Sequence, residues 1–210
     1  MRLFVGIPLA DAARNEIAAV MERLRGSGEY LEPNEAASLR WSAPDSWHIT
    51  LQFLGNATEE QLECLKARLG EVRAAPVTVK LGELGSFERV GVLFAEVAVT
   101  KELAALQRSV MAATANCGFV AEARPFHPHI TLARKAREQR SKRATEGGGT
   151  PIARAIQGFI KKRGSSPRFT PFTAGEFVLY ESHLGEGPAR YEARLRVALR
   201  GGGNRSQEPA

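Results

Sequence analysis

Two tetrapeptides in this chain are identical: His48-Ile49-Thr50-Leu51 and His129-Ile130-Thr131-Leu132, roughly half a chain apart. In a β-strand successive side chains alternate between faces, so each tetrapeptide offers one imidazole and one hydroxyl on one face while Ile and Leu hold the other to a core. An imidazole titrates near pH 6.5 and can accept or donate a proton around neutrality. A threonine hydroxyl can donate a hydrogen bond to a phosphoryl oxygen without help from a metal. The reaction that needs two such groups is in-line displacement at phosphorus, where the entering and leaving oxygens lie on opposite sides and each requires a proton to be moved. The chain has four histidines, and β-propensity explains Ile, Thr and Leu but not a repeated His. His48 and His129 are therefore the candidate catalytic pair, and Thr50 and Thr131 the candidate phosphate-binding pair. The repeat is symmetric and by itself does not say which imidazole is acid and which is base.

The neighbours of the motifs are weaker candidates. Arg134 can pair with a phosphate bidentately, but strict alternation puts it opposite His129 unless the strand ends or bulges there. His127 shares the parity of His129, yet Pro128 lies between them and nothing equivalent precedes His48; a supporting role is expected. His183 is expected exposed in a turn, and Tyr180 and Phe126 as core aromatics rather than stacking surfaces for a base.

The elements that would carry these residues are set by periodicity. An apolar run over residues 2–7 ended by Pro8 reads as a strand, and Ile17, Val20, Met21 and Leu24 recur at helical spacing. Residues 47–54 alternate, with Ile49, Leu51 and Phe53 on one face and His48, Thr50 and Gln52 on the other. Thr58 and Gln61 form a capping-box signature before the Leu62, Leu65, Leu69, Val72 stripe. Strands are expected over 77–81 and 92–99, joined by a loop holding Gly82, Gly85 and Gly91. A helix opened by Leu103, Leu106 and Val110 ends near Gly118, a strand covers 127–133, and two closing strands cover 177–182 and 191–199. This is an α+β chain with two pseudo-symmetric lobes, mainly antiparallel sheet with outer helices around a central cleft.

The chain has 210 residues, 43% hydrophobic and 25% charged, enough for one domain over 1–199. Its formal net charge is +6, which favours an anionic partner. The positive charge is concentrated in an insert at about 135–168, expected to be a mobile surface excursion around a short helix near 152–160; residues 200–210 read as a disordered tail. No apolar run approaches the roughly 18 residues of a membrane span and no leader pattern is evident, so a cytoplasmic protein is expected. Cys64 and Cys117 lie far apart without metal-type spacing and are expected to pack as small hydrophobes, with neither a disulfide nor a zinc site. There is no GxxxxGK[ST] loop, so an ATP-driven reaction is not expected.

The ordered set Arg2-Leu3-Phe4-Val5-Gly6-Ile7, Trp47-His48-Ile49-Thr50-Leu51-Gln52-Phe53-Leu54-Gly55, Arg124-Pro125-Phe126-His127-Pro128-His129-Ile130-Thr131-Leu132-Ala133-Arg134, Leu179-Tyr180-Glu181-Ser182-His183-Leu184 and Tyr191-Glu192 resembles the two-histidine (2H) phosphoesterases. Within them it is most similar to the RNA 2′,3′-cyclic phosphodiesterases, also called 2′-5′ RNA ligases. The resemblance runs nearly end to end. It implies a bilobal α+β fold and metal-independent, cofactor-free hydrolysis of RNA 2′,3′-cyclic phosphate ends to 2′-phosphates, with the reversible 2′-5′ joining activity seen in some members. It further implies His48 as proton donor and His129 as proton acceptor. The expected partner is RNA with a cyclic phosphate end, tRNA fragments included, and the expected state a monomer without membrane or metal. Three rivals stand beside this reading: a zinc hydrolase built on His48, His127 and His129, a phosphodiesterase for another cyclic-phosphate nucleotide, and a non-catalytic RNA-binding module using the basic segment alone.

Overall fold

The computed structural model describes residues 1–26, 29–120, 124–136, 151–183 and 189–200. The tail from 201 and residues 137–150 of the basic insert lie outside these residues, so the expected disorder of the tail and mobility of that part of the insert fall outside what is described. Two four-stranded antiparallel sheets form the body. The first orders β10 (Arg190–Ala198), β9 (Glu176–His183), β1 (Arg2–Pro8) and β3 (His48–Asn56). The second orders β2 (Leu39–Trp41), β7 (His129–Lys135), β6 (Val92–Val97) and β5 (Leu81–Phe87). A two-stranded ribbon pairs β4 (Val77–Val79) with β8 (Phe172–Ala174). The two strands bearing the repeated tetrapeptide thus belong to different sheets, and β3 comes alongside β7.

The helices bury the stripes their spacing predicts. In α1 (Asp11–Gly26) Ala13, Ile17, Met21 and Leu24 are buried. After the short α2 (Pro33–Ala37), α3 (Glu59–Gly70) starts on the Thr58/Gln61 capping box, each side chain bonded to the other's backbone, and buries Leu62, Leu65 and Leu69. It packs on α4 (Lys101–Ala115), and the pair covers the first sheet through β3 and β10. Helix α5 (Pro151–Arg163) lies against β5. Its Ile152, Ala155, Ile156 and Phe159 are buried at i, i+3, i+4 and i+7, so the C-terminal half of the basic segment is a packed amphipathic helix.

Three expectations are corrected by the fold. The Gly82–Gly91 stretch is not a plain loop but carries β5, and Gly85 is required there: a Cβ would stand 2.6 Å from the Phe94 ring on the neighbouring strand. The second concerns the faces of β3. Gln52 is buried and Phe53 is 57% exposed, the reverse of simple alternation, because Val5 pairs with Gln52 and Gly6 with Thr50, leaving Leu51 as the extra residue of a bulge. The third concerns the cysteines. Cys64 on α3 and Cys117 just beyond α4 form a disulfide, with Cα atoms 5.8 Å apart. Sequence spacing could not show this, since the two meet only because α3 packs against the end of α4.

Candidate active site

The two motif strands repeat in three dimensions what they repeat in sequence. β7 has the same bulge as β3: Leu93 pairs with Ala133 and Phe94 with Thr131, leaving Leu132 over. The burial order of His129–Lys135 matches that of His48–Leu54 residue for residue. Each bulge reverses the parity of the residues beyond it. Phe53 in one strand and Arg134 in the other therefore turn onto the face that carries His and Thr, and Arg134 Nη2 donates to Thr131 Oγ1 at 3.2 Å. The bulge condition under which Arg134 could join the site is met.

Both imidazoles are anchored in the same way. His48 Nδ1 donates to the carbonyl of Ser46 at 2.8 Å, and His129 Nδ1 donates to the carbonyl of His127 at 2.8 Å. A carbonyl can only accept, so the proton of the neutral ring sits on Nδ1 and Nε2 keeps its lone pair. His127 serves its neighbour through its backbone, while its exposed ring lies edge-on to Phe87 and Phe94.

Aromatic rings wall both histidines. Phe4 lies 4.5 Å from the His48 ring and Tyr191 stands edge-on at 5.0 Å, with Tyr180 stacked on Phe4 at 5.0 Å. Phe87 and Phe94 flank His129 at 5.1 and 5.4 Å. Gly6 makes room beneath His48: a Cβ there would lie 3.3 Å from His48 Cδ2 and 3.0 Å from the Ile49 carbonyl oxygen. Burial strips water from both rings. It lowers the pKa of His48 to about 4, opposed by the Ser46 hydrogen bond and reinforced by the positive charges of Arg134 and His129. His129 is lowered for the same leading reason, with His127 and Arg134 adding to the effect. The charge of Arg134 therefore acts on both imidazoles, and that of His129 acts on His48. Both imidazoles are thus held toward the neutral form, near the Arg134 guanidinium.

A zinc site on His48, His127 and His129 is not built. Among the described residues these three do not bring ligand atoms within 4.8 Å of one another; the set that does is Glu181, His183 and Glu192 on β9 and β10. Arg194 already pairs with both carboxylates of that set. His183 ends β9 exposed, against Glu192. Phe126 is partly buried against the core. Sequence reasoning missed Phe4, Phe87, Phe94 and Tyr191 as site walls. The available signal was their strand parity relative to the motifs, which the bulges obscure.

The sequence model of the 2′-5′ RNA ligase superfamily matches residues 11–185. The chain belongs to that superfamily. Superfamily relatives cover it nearly whole: the RNA 2′,3′-cyclic phosphodiesterase of Bacillus subtilis (strain 168) is 30% identical over 208 residues, 93% of this chain and 95% of its own. The enzyme of the same name from Escherichia coli (strain K12) is 29% identical over 94% of this chain and 96% of its own. Escherichia coli LigT, crystallised with 3′-AMP, superimposes with a TM-score of 0.69 at 27% identity, covering 94% of this chain and 97% of LigT. The α+β architecture expected for the superfamily is the one this chain has. None of its described helices is long and apolar enough to cross a membrane.

Proposed function

We propose that this protein hydrolyses RNA 2′,3′-cyclic phosphate ends to 2′-phosphates by acid–base catalysis between His48 and His129, without a metal or cofactor. The observation that carries this reading is the matched pair of Nδ1-anchored imidazoles, each with its free Nε2 in one site beside Arg134. The names and end-to-end similarity of the B. subtilis and E. coli relatives support the substrate class.

The cyclic phosphate lies between the imidazoles with its non-bridging oxygens on the Thr50 and Thr131 hydroxyls and on Arg134. His129 Nε2 takes a proton from water as the water oxygen attacks phosphorus. The bond from phosphorus to O3′ breaks, and protonated His48 delivers its proton to O3′. This order of roles agrees with the surroundings. His48, packed by Phe4 and Tyr191, is the more deeply buried ring, and His129 is the more open one. A bound phosphoryl anion supplies counter-charge that favours the protonated form of His48. A ribose 5′-hydroxyl in place of water gives a 2′-5′ linkage by the same path, driven by the cyclic ester alone. The protein is read as a cytoplasmic monomer acting on RNA ends, tRNA fragments among them.

The test is hydrolysis of a short RNA ending in a 2′,3′-cyclic phosphate, with excess chelator and no nucleotide. Wild type should yield the 2′-phosphate, and His48→Ala and His129→Ala should each lose on the order of 100-fold or more. A substrate whose 3′ leaving group needs no proton should rescue His48→Ala and not His129→Ala. Activity abolished by chelator, or retained by either alanine variant, would overturn the mechanism.

A further inference from the structure

We propose that Tyr191 is a further substrate-contacting residue: its phenol hydroxyl donates a hydrogen bond to the phosphoryl group held between the two histidines. The inference rests on the function proposed above for the same site. On β10 Tyr191 lies directly opposite Ser182 of β9, two residues from Tyr180, which in turn lies opposite Phe4 of β1. Opposed residues of an antiparallel pair share a face, so Tyr191, Tyr180 and Phe4 all stand on the face that carries His48 and Thr50.

The rings confirm this placement. Tyr191 meets Phe4 edge-on at 5.0 Å and His48 edge-on at 5.0 Å with an interplanar angle of 87°. Packing thus fixes the Tyr191 ring and leaves one polar atom to be accounted for. Among the described residues no side chain or backbone group hydrogen-bonds to that hydroxyl. A half-buried phenol normally finds a partner, and one beside a catalytic imidazole that lacks a protein partner is available to a ligand.

Its electrostatic setting selects the ligand. The positive charges of Arg134, from the other sheet, and of Arg2 both favour negative charge at the Tyr191 hydroxyl. Burial nevertheless keeps its pKa above the usual tyrosine value, so at neutral pH it remains a donor. A donor among cations calls for an anionic acceptor, and the phosphoryl group is the anion the site is built to hold. The two walls differ in this respect: His129 is flanked by Phe87 and Phe94, which have no hydroxyl. Tyr191 therefore gives a nearly two-fold site a polar side at His48.

Tyr191→Phe keeps the ring against His48 and Phe4 and removes only the hydroxyl. It should lower kcat/KM for a cyclic-phosphate-ended RNA by about 10- to 100-fold, the range for one hydrogen bond to a charged acceptor. It should also weaken binding of inorganic phosphate by a similar factor, with Tm unchanged. Wild-type kcat/KM and phosphate affinity in Tyr191→Phe would overturn the proposal. So would an intact Tyr191→Phe beside an impaired Tyr191→Leu, because the ring alone would then suffice. If wild type turns over no cyclic phosphate at all, the proposed function fails, and the phosphate-binding comparison still decides the role of Tyr191.

Discussion

A buried neutral His48 makes folding stability depend on pH in a direction and window that can be worked out in advance. In the unfolded chain the imidazole titrates at its ordinary value of about 6.5; in the folded protein, burial beside Arg134 and His129 holds it at about 4. Between these values the unfolded state binds more protons than the folded one, so stability is fully present above pH 6.5 and is lost as pH falls toward 4. From the two pKa values the loss is about 1.4 kcal/mol at pH 5.5 and about 3 kcal/mol at pH 4. His48→Asn removes the titration while its amide can still donate to the Ser46 carbonyl. Urea unfolding of both proteins at pH 7, 5.5 and 4 isolates the effect, since the carboxylates, Glu16 included, cancel in the difference. The stability of wild type relative to the variant should fall by the stated amounts as pH drops. Saturating phosphate should shrink the fall, because a bound anion restores the charged form. A difference that stays flat from pH 7 to pH 4 would refute the claim that His48 is held neutral by burial.

Two further outcomes are expected. Thr50→Val and Thr131→Val keep the side-chain shape and remove the hydroxyls assigned to the non-bridging oxygens; each should cost about 2 to 4 kcal/mol of transition-state stabilisation, read as a loss of kcat without loss of Tm. The Cys64–Cys117 bridge spans 53 positions and should contribute about 4 kcal/mol by restricting the unfolded chain, so reduction or Cys64→Ser should lower the urea midpoint while kcat/KM at 25 °C is unchanged.

The sequence carried the chemistry more clearly than the geometry, and the physical reason lies in the bulges. The repeated His-x-Thr pairs were legible because both residues precede the bulged leucine, where simple alternation still holds. Gln52, Phe53 and Arg134 come after it, and there alternation gives the wrong face for each. A bulge depends on how two strands are paired, and a single strand's residues do not reveal that pairing. The same limit hid the disulfide, which needs α3 laid on α4, and β5, whose glycines make way for Phe94 rather than for a turn. It also hid Tyr191, which reaches the site across β9 and β1 from the far edge of the sheet. The recurrence of the bulge at Leu51 and Leu132 adds something the tetrapeptides do not contain. It places Phe53 and Arg134 at equivalent points of the two strands, an exposed ring in one half and a guanidinium in the other. Two halves alike through His and Thr diverge at the first residue the bulge turns inward. The two strands that carry the repeated imidazoles thereby differ in what they present beyond the motif, an asymmetry that the proposed division into one acid and one base calls for.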